Sequence, residues 1–231
     1  MKPCDCLVRH VPRRVALTGG PGAGKTAVIE LIRLFFCAHV KTRPEAAGIV
    51  FAGRFPRSTD PPLRQAAQRA IYHIQRELES VADTENAAVV LCDRGTVDCG
   101  AYWTGTGDLF SSVGTTRTRE LARYHAVIHL RTPTSPHAYD RRNPLRVESL
   151  AEASAIDEQI ATQWSEHPRR FVVEPTEDFL HKAAKTLALL RKEVPECCRH
   201  HVRRFFWDDD GITQTDEPAS RPSPGDQGDA G

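Results

Sequence analysis

The sequence predicts an α/β fold, a single doubly wound parallel sheet of about five strands with helices on both faces. Three observations carry that expectation. Short apolar runs alternate with longer segments of helical period along most of the chain. The first run leads at once into a glycine-rich turn and a helix. The longest apolar run, Ala87 to Cys92, suits a central strand buried on both faces.

Val15-Ala16-Leu17-Thr18 reads as the first strand and Thr26 to about Cys37 as the first helix, with Ile29, Ile32 and Phe36 on its apolar face. Ala38 to Thr42 forms a short second strand. Asp60 followed by Pro61 and Pro62 marks a helix start, and Leu63, Ala67, Ala70, Ile71, Ile74, Leu78 and Val81 then recur at helical spacing. Ala87 to Cys92, Val127 to Leu130 and Phe171 to Val173 supply three more strands. Ser149 and Glu152 match a capping box, opening a helix whose Leu150, Ala153, Ile156, Ile160 and Trp164 share a side. A last helix spans about Glu177 to Glu193. One domain is therefore expected over 14–198, after an extension at 1–13 and before a segment at 199–231. From about Ile212 that segment has too few apolar side chains to offset its ordering entropy and is expected to be disordered.

With 40% hydrophobic and 26% charged residues, the 231-residue chain is neither collagen, coiled coil nor wholly disordered. No apolar run approaches the roughly 20 residues of a membrane span, and the first twenty residues lack the apolar core of a secretory signal. A cytoplasmic protein with free thiols is expected, despite its seven cysteines. A net charge of +1 gives no global field to recruit nucleic acid. Phosphate recognition must be local.

The strongest motif is Gly19-Gly20-Pro21-Gly22-Ala23-Gly24-Lys25-Thr26, a complete G-x-x-x-x-G-K-T between a strand and a helix. Such a P-loop turns backbone N–H groups and a helix N-terminus toward a polyphosphate. Lys25 is expected to reach the β- and γ-phosphates and Thr26 to ligate Mg2+. Asp93, closing a buried strand, is the expected second magnesium group. The next residue is Arg94 rather than a water-activating glutamate, which favours phosphoryl transfer to a bound acceptor over hydrolysis. No N-K-x-D guanine reader is present, so ATP is the expected nucleotide, with GTP the alternative.

These residues resemble the P-loop kinase superfamily and, within it, the NadR-type AAA domain. That group includes bacterial ribosylnicotinamide kinase modules and an animal GTP-binding relative linked to TRP channel trafficking. The resemblance rests on Gly19 to Thr26, Arg43 to Ala47, Asp93-Arg94-Gly95 with Asp98, Ala101-Tyr102-Trp103, and His129 to Pro133. It continues through Asn143 to Glu148, Ile156-Asp157, Trp164 and His167 to Arg170. It implies that Glu45 is a general base toward an acceptor hydroxyl. It also implies that Arg141, Arg142 and Arg146 belong to a lid that neutralises developing charge, and that Tyr102 and Trp103 stack on an aromatic acceptor. Ion pairing is the competing expectation for Glu45 and the arginines, and core packing for the two aromatics.

The residues therefore imply either a phosphotransferase on a small, nucleoside-like acceptor or a nucleotide-binding regulatory protein with little turnover. A Glu45 open to the phosphate site favours the first; a Glu45 locked in a structural ion pair favours the second. Cys4 and Cys6, with Cys197, Cys198, His200 and His201, offer zinc-type donors, but in no standard zinc-module spacing. The neighbouring Arg203, Arg204, Phe205, Phe206 and Trp207 mix cationic and aromatic groups, and docking of that segment on the domain is the plainer expectation for it.

Overall fold

The computed structural model describes residues 4–133, 149–176 and 178–202. Five strands, β1 (Arg13–Thr18), β2 (Val40–Arg43), β3 (Val89–Asp93), β4 (Ala126–Leu130) and β5 (Arg170–Val173), form one sheet in the order β2-β3-β1-β4-β5. All four pairings are parallel. The helices are α1 (Lys25–Phe35), α2 (Ala46–Ala52), α3 (Pro61–Ser80), α4 (Leu109–Ser112), α5 (Arg117–Leu121), α6 (Leu150–Gln163), α7 (Phe179–Glu193) and α8 (Glu196–Arg199). Short 3-10 stretches occupy Val81–Thr84 and Thr96–Tyr102.

Side-chain alternation along the strands divides the interior into two cores. Val15, Leu17, Val89, Leu91, Ile128 and Leu130 face α1 and α7, meeting Val28, Ile32, Leu187 and Leu190. Ala16, Val90, Cys92 and Val127 point the other way, toward Val50, Ile71, Phe110, Ile160 and Trp164. Both faces are covered, which is why these strands read as continuous apolar runs. The expected doubly wound sheet is the observed one.

Boundaries shift modestly from the sequence expectation. The first helix begins at Lys25 and ends at Phe35, and the second strand begins at Val40. Ser149 caps α6 as expected: the Glu152 amide donates to its hydroxyl at 3.3 Å, and the Glu152 carboxylate accepts from the Ser149 amide at 2.7 Å. Asp60 does stand before Pro61, but its side chain makes no capping hydrogen bond. The helices α2, α4 and α5 have seven, four and five residues, too short for a periodic signal or for independent stability. They persist because Ala46, Val50, Leu109, Phe110 and Leu121 are buried in the second core.

A buried polar network holds the chain just after β3. Arg123 pairs with Glu79 at 2.6 Å and with Glu120 at 3.0 Å, and both carboxylates are almost wholly buried. Tyr124 donates to Glu79 at 2.6 Å, Tyr72 and Thr96 donate to Glu120 at 2.9 and 2.8 Å, and the Thr96 amide donates to the Tyr124 oxygen at 2.7 Å. With each charge partnered, the cost of burying it is offset and the segment is held in one arrangement. The site residues Asp93 and Arg94 immediately precede it.

Candidate functional site

In a parallel sheet, the loops leaving the C-terminal strand ends converge on one edge. Here that edge receives the turn after β1, Glu45 after β2, Asp93 and Arg94 at the end of β3, and Arg131 and Thr132 after β4. The register sets Leu17 beside Asp93 and beside Ile128, so the P-loop lies between the other two segments.

The turn needs its glycines for steric reasons. Gly19 has φ +135°, and a side-chain carbon there would fall 2.0 Å from the Leu130 carbonyl oxygen. Gly24 caps α1 in the left-handed region at φ 93°, a conformation that favours glycine. Lys25 folds back over the loop, donating to the Gly19 carbonyl at 2.7 Å and the Gly20 carbonyl at 3.1 Å. Burial, assisted by nearby Arg94, lowers its pKa to about 8, against the pull of Asp93, Glu45 and Asp98. Thr26 is exposed.

Asp157 of α6 fastens the turn. Its Oδ1 accepts from the Gly20 amide at 2.7 Å and lies 2.9 Å from His129 Nε2, while Oδ2 accepts from the Thr132 amide at 3.2 Å. Burial would raise this carboxyl's pKa, but His129 and the two amides outweigh burial and hold it below the usual range. Asp157→Ala would strand both amides and His129 in a site only 2% exposed. It is expected to destabilise the protein by about 3 kcal/mol. An unchanged urea midpoint for this variant would show that the tether carries no stability.

Around Lys25 gather three acidic groups and a guanidinium. Arg94 Nε lies 2.6 Å from Glu45 Oε1, and Arg94 Nη1 lies 3.5 Å from Asp98 Oδ1. Arg94 takes a positive φ of 69° without being glycine. Its backbone is clamped there, its amide donating to the Leu17 carbonyl at 3.0 Å and its carbonyl accepting from Gln75 at 3.2 Å. Asp98 also accepts from Thr18, from the Gly95 amide at 2.8 Å and from Trp164 Nε1 at 3.2 Å. Glu45 keeps 39% of its side chain accessible. Burial alone would raise its pKa, but Arg94 and Lys25 outweigh burial and lower it.

Asp93 differs from its neighbours. Burial pushes its pKa up to about 6, and its Oδ1 is buried with no hydrogen-bond partner. An orphaned carboxylate oxygen beside the P-loop is a donor suited to a hard cation such as Mg2+.

Glu45 is thus ion-paired to Arg94 and still accessible in the group that surrounds Lys25. Tyr102 lies 5.5 Å beneath the Arg94 guanidinium, whereas Trp103 turns to the Gly107 carbonyl at 3.1 Å. Both pack partly buried against the second core. Arg141, Arg142 and Arg146 lie outside the described residues. Two positioning side chains carried a legible signal without an assigned role. Asp157 sits on the apolar stripe of α6 with Ala153, Ile160 and Trp164, where a carboxylate demands buried partners. Phe179, 38% exposed at the start of α7, lies against the P-loop, its ring 3.0 Å from where a Gly24 side-chain carbon would sit.

A P-loop at the C-terminal edge of a parallel β2-β3-β1-β4-β5 sheet, with an acidic strand end beside it, defines a P-loop NTPase/kinase-like α/β fold. The sequence model of a family described as an AAA domain matches residues 14–182, and the chain belongs to that family. Among solved structures the chain is similar to NadR protein in complex with NR, with a TM-score of 0.62 and 14% identity over 80% of this chain and 52% of that one. It is also similar to TT1252 from Thermus thermophilus, with a TM-score of 0.50 and 16% identity over 80% of this chain and 99% of that one. Deoxyadenosine kinase from M. mycoides with bound dATP aligns at a TM-score of 0.46 and 13% identity, over 77% of this chain and 98% of that one. At such identities the likeness is one of fold, and the chain spans about half the length of the NadR protein. No curated protein matches it by sequence. Among the described residues, no helix is long and apolar enough to cross a membrane.

Proposed function

We propose that this domain binds a nucleoside triphosphate with Mg2+, with ATP as donor, and transfers the terminal phosphoryl group to a hydroxyl of a small, nucleoside-like acceptor. One observation carries the proposal: Lys25, Asp93, Arg94 and Glu45, from three separate strand ends, are gathered at one point beside the P-loop. The turn's amides and Lys25 would bind the phosphates. Mg2+, held by Thr26 and Asp93, would supply charge neutralisation across the donor oxygens. Glu45 would take the acceptor's proton as the new oxygen–phosphorus bond forms and the bond to the departing diphosphate breaks. Arg94 would steer Glu45 and face the transferred group. Arg146 with Arg141 and Arg142 would close over the reaction, and Phe179 would offer an apolar face to the nucleotide base.

The core that begins at β1 runs through Val194 and Cys198 to Val202, with Cys4 and Cys6 packed against it, so the proposed 14–198 unit is taken together with these flanks. A second reading, a nucleotide-dependent regulatory protein with little turnover, is favoured by the 2.6 Å Glu45–Arg94 ion pair, which occupies the proposed base. Labelled ATP and a nucleoside panel separate the two. Transfer to an acceptor is expected, with Glu45→Gln lowering kcat by roughly 100-fold or more while nucleotide affinity changes little. Label found only as free phosphate, whatever acceptor is offered, would reject the kinase reading.

A further inference from the structure

The opposite edge of the sheet, where β1 and β2 begin, holds a second concentration of reactive side chains. Three stretches distant in sequence supply it: the N-terminal segment with Cys4, Cys6 and His10, the α1–β2 turn with Cys37 and His39, and α8 with Cys198. Their donor atoms form two overlapping quartets, Cys6, His10, His39, Cys198 and Cys4, Cys37, His39, Cys198. Within each quartet every donor lies within 4.8 Å of the others.

Spacing decides what such a cluster suits. A tetrahedral ion bound at about 2.3 Å to sulfur and about 2.0–2.1 Å to nitrogen separates its ligands by about 3.8 Å for sulfur–sulfur and about 3.6 Å for sulfur–nitrogen pairs. Cys198 Sγ lies 3.5 Å from His10 Nε2 and 3.4 Å from His39 Nδ1, and Cys6 Sγ lies 3.5 Å from His10 Nε2. Three edges of the first quartet therefore have the length a tetrahedron requires. Cys198 and Cys4 Sγ are 3.9 Å apart, far beyond a disulfide's roughly 2.05 Å, and all these thiols are free.

We propose that Cys6, His10, His39 and Cys198 form a closed tetrahedral site for one zinc-class divalent ion, pinning the N-terminal segment to the α1–β2 turn and to α8. Two thiolates and two imidazoles make a soft, four-ligand set with no open position, the pattern of a structural rather than a catalytic ion. Loading displaces the two thiol protons to solvent, so it strengthens as pH rises. The sequence expectation groups Cys4 and Cys6 with Cys197, Cys198, His200 and His201. The structure places the imidazoles of His10 and His39, rather than His200, beside Cys6 and Cys198, and pairs His201 with Asp5 at 2.7 Å.

The test uses the full chain purified without chelator. The expected result is one zinc per chain by metal analysis. After exchange to cobalt, a thiolate-to-metal charge-transfer band and the intense visible bands of tetrahedral cobalt should appear. Cys198→Ser should lose the ion. Because Cys198 is fully buried, the partly exposed pair Cys6→Ser with His10→Ala is the second variant, and it should also lose the ion while circular dichroism stays unchanged. Cys4→Ser should keep it; loss there would overturn the ligand assignment. A wild-type chain that carries no zinc and gives only the pale spectrum of octahedral cobalt would overturn the site itself. So would a metal-free chain that takes up no ion and instead joins Cys4 to Cys198 under mild oxidation, which would make the cluster a redox pair.

Discussion

Lys25→Met is expected to weaken triphosphate binding by about 100-fold, the loss of a charge-assisted phosphate contact of about 3 kcal/mol, while making the nucleotide-free protein more stable. The second half of this expectation comes from the site's electrostatics. In the folded chain Lys25 has its pKa lowered to about 8 by burial and by Arg94, whereas in an unfolded chain it titrates near 10.4. Between those values the unfolded state binds more protons, so stability rises with pH across that window; below about pH 8 the charged lysine costs stability, on the order of 3 kcal/mol. Methionine fills the same space without the charge. Isothermal calorimetry with Mg-ATP and a urea titration at pH 7 read the two effects. A variant that binds ATP as the wild type does would remove the P-loop reading of Gly19 to Thr26.

Asp93→Asn is expected to act in the same paired way through the metal. Its carboxyl pKa is pushed up to about 6 by burial and by Glu45, against the pull of Lys25, and an unfolded aspartate titrates near 3.9. Between about pH 4 and 6 the native state binds the extra proton, so stability falls as pH rises through that window. At neutral pH the ionised Asp93 costs on the order of 2–3 kcal/mol. Asparagine removes that cost, and a higher melting temperature for the ligand-free protein should follow. Magnesium-dependent nucleotide affinity should drop by at least about 100-fold. In the wild type the magnesium-dependent part should decline as pH falls through about 6, because the neutral carboxyl is a poor ligand for a hard cation. Unaltered magnesium dependence in Asp93→Asn would reject Asp93 as a ligand. Because Lys25 and Asp93 attract each other, the two stability gains should not add in the double variant.

Much of this was legible in the sequence. A P-loop is a local object: the glycines, Lys25 and Thr26 lie within eight consecutive residues between a strand and a helix, and their spacing alone dictates the turn. The central strands β1, β3 and β4 were equally plain, because burial on both faces writes an uninterrupted apolar run, whereas the edge strands β2 and β5 are mostly half-buried and gave a weaker signal. The Ser149–Glu152 cap was readable for the same reason, since both partners lie within one helical turn. The short helices α2, α4 and α5 were not readable, because their stability comes from the core they are pressed against.

The sequence by itself determined the fold class, the phosphate-binding turn and the acidic strand end, since each depends on contacts between near neighbours or on a periodicity of burial. Only the tertiary structure decided how the charges share their partners. Glu45 meets Arg94 across 49 positions, Gly20 is fastened by Asp157 across 137, and Cys198 finds His10 across 188. No pattern of spacing encodes such meetings. They follow from which strand ends and helix termini the β2-β3-β1-β4-β5 order brings to each edge of the sheet, and a side chain's partner, protonation and chemistry are settled only there.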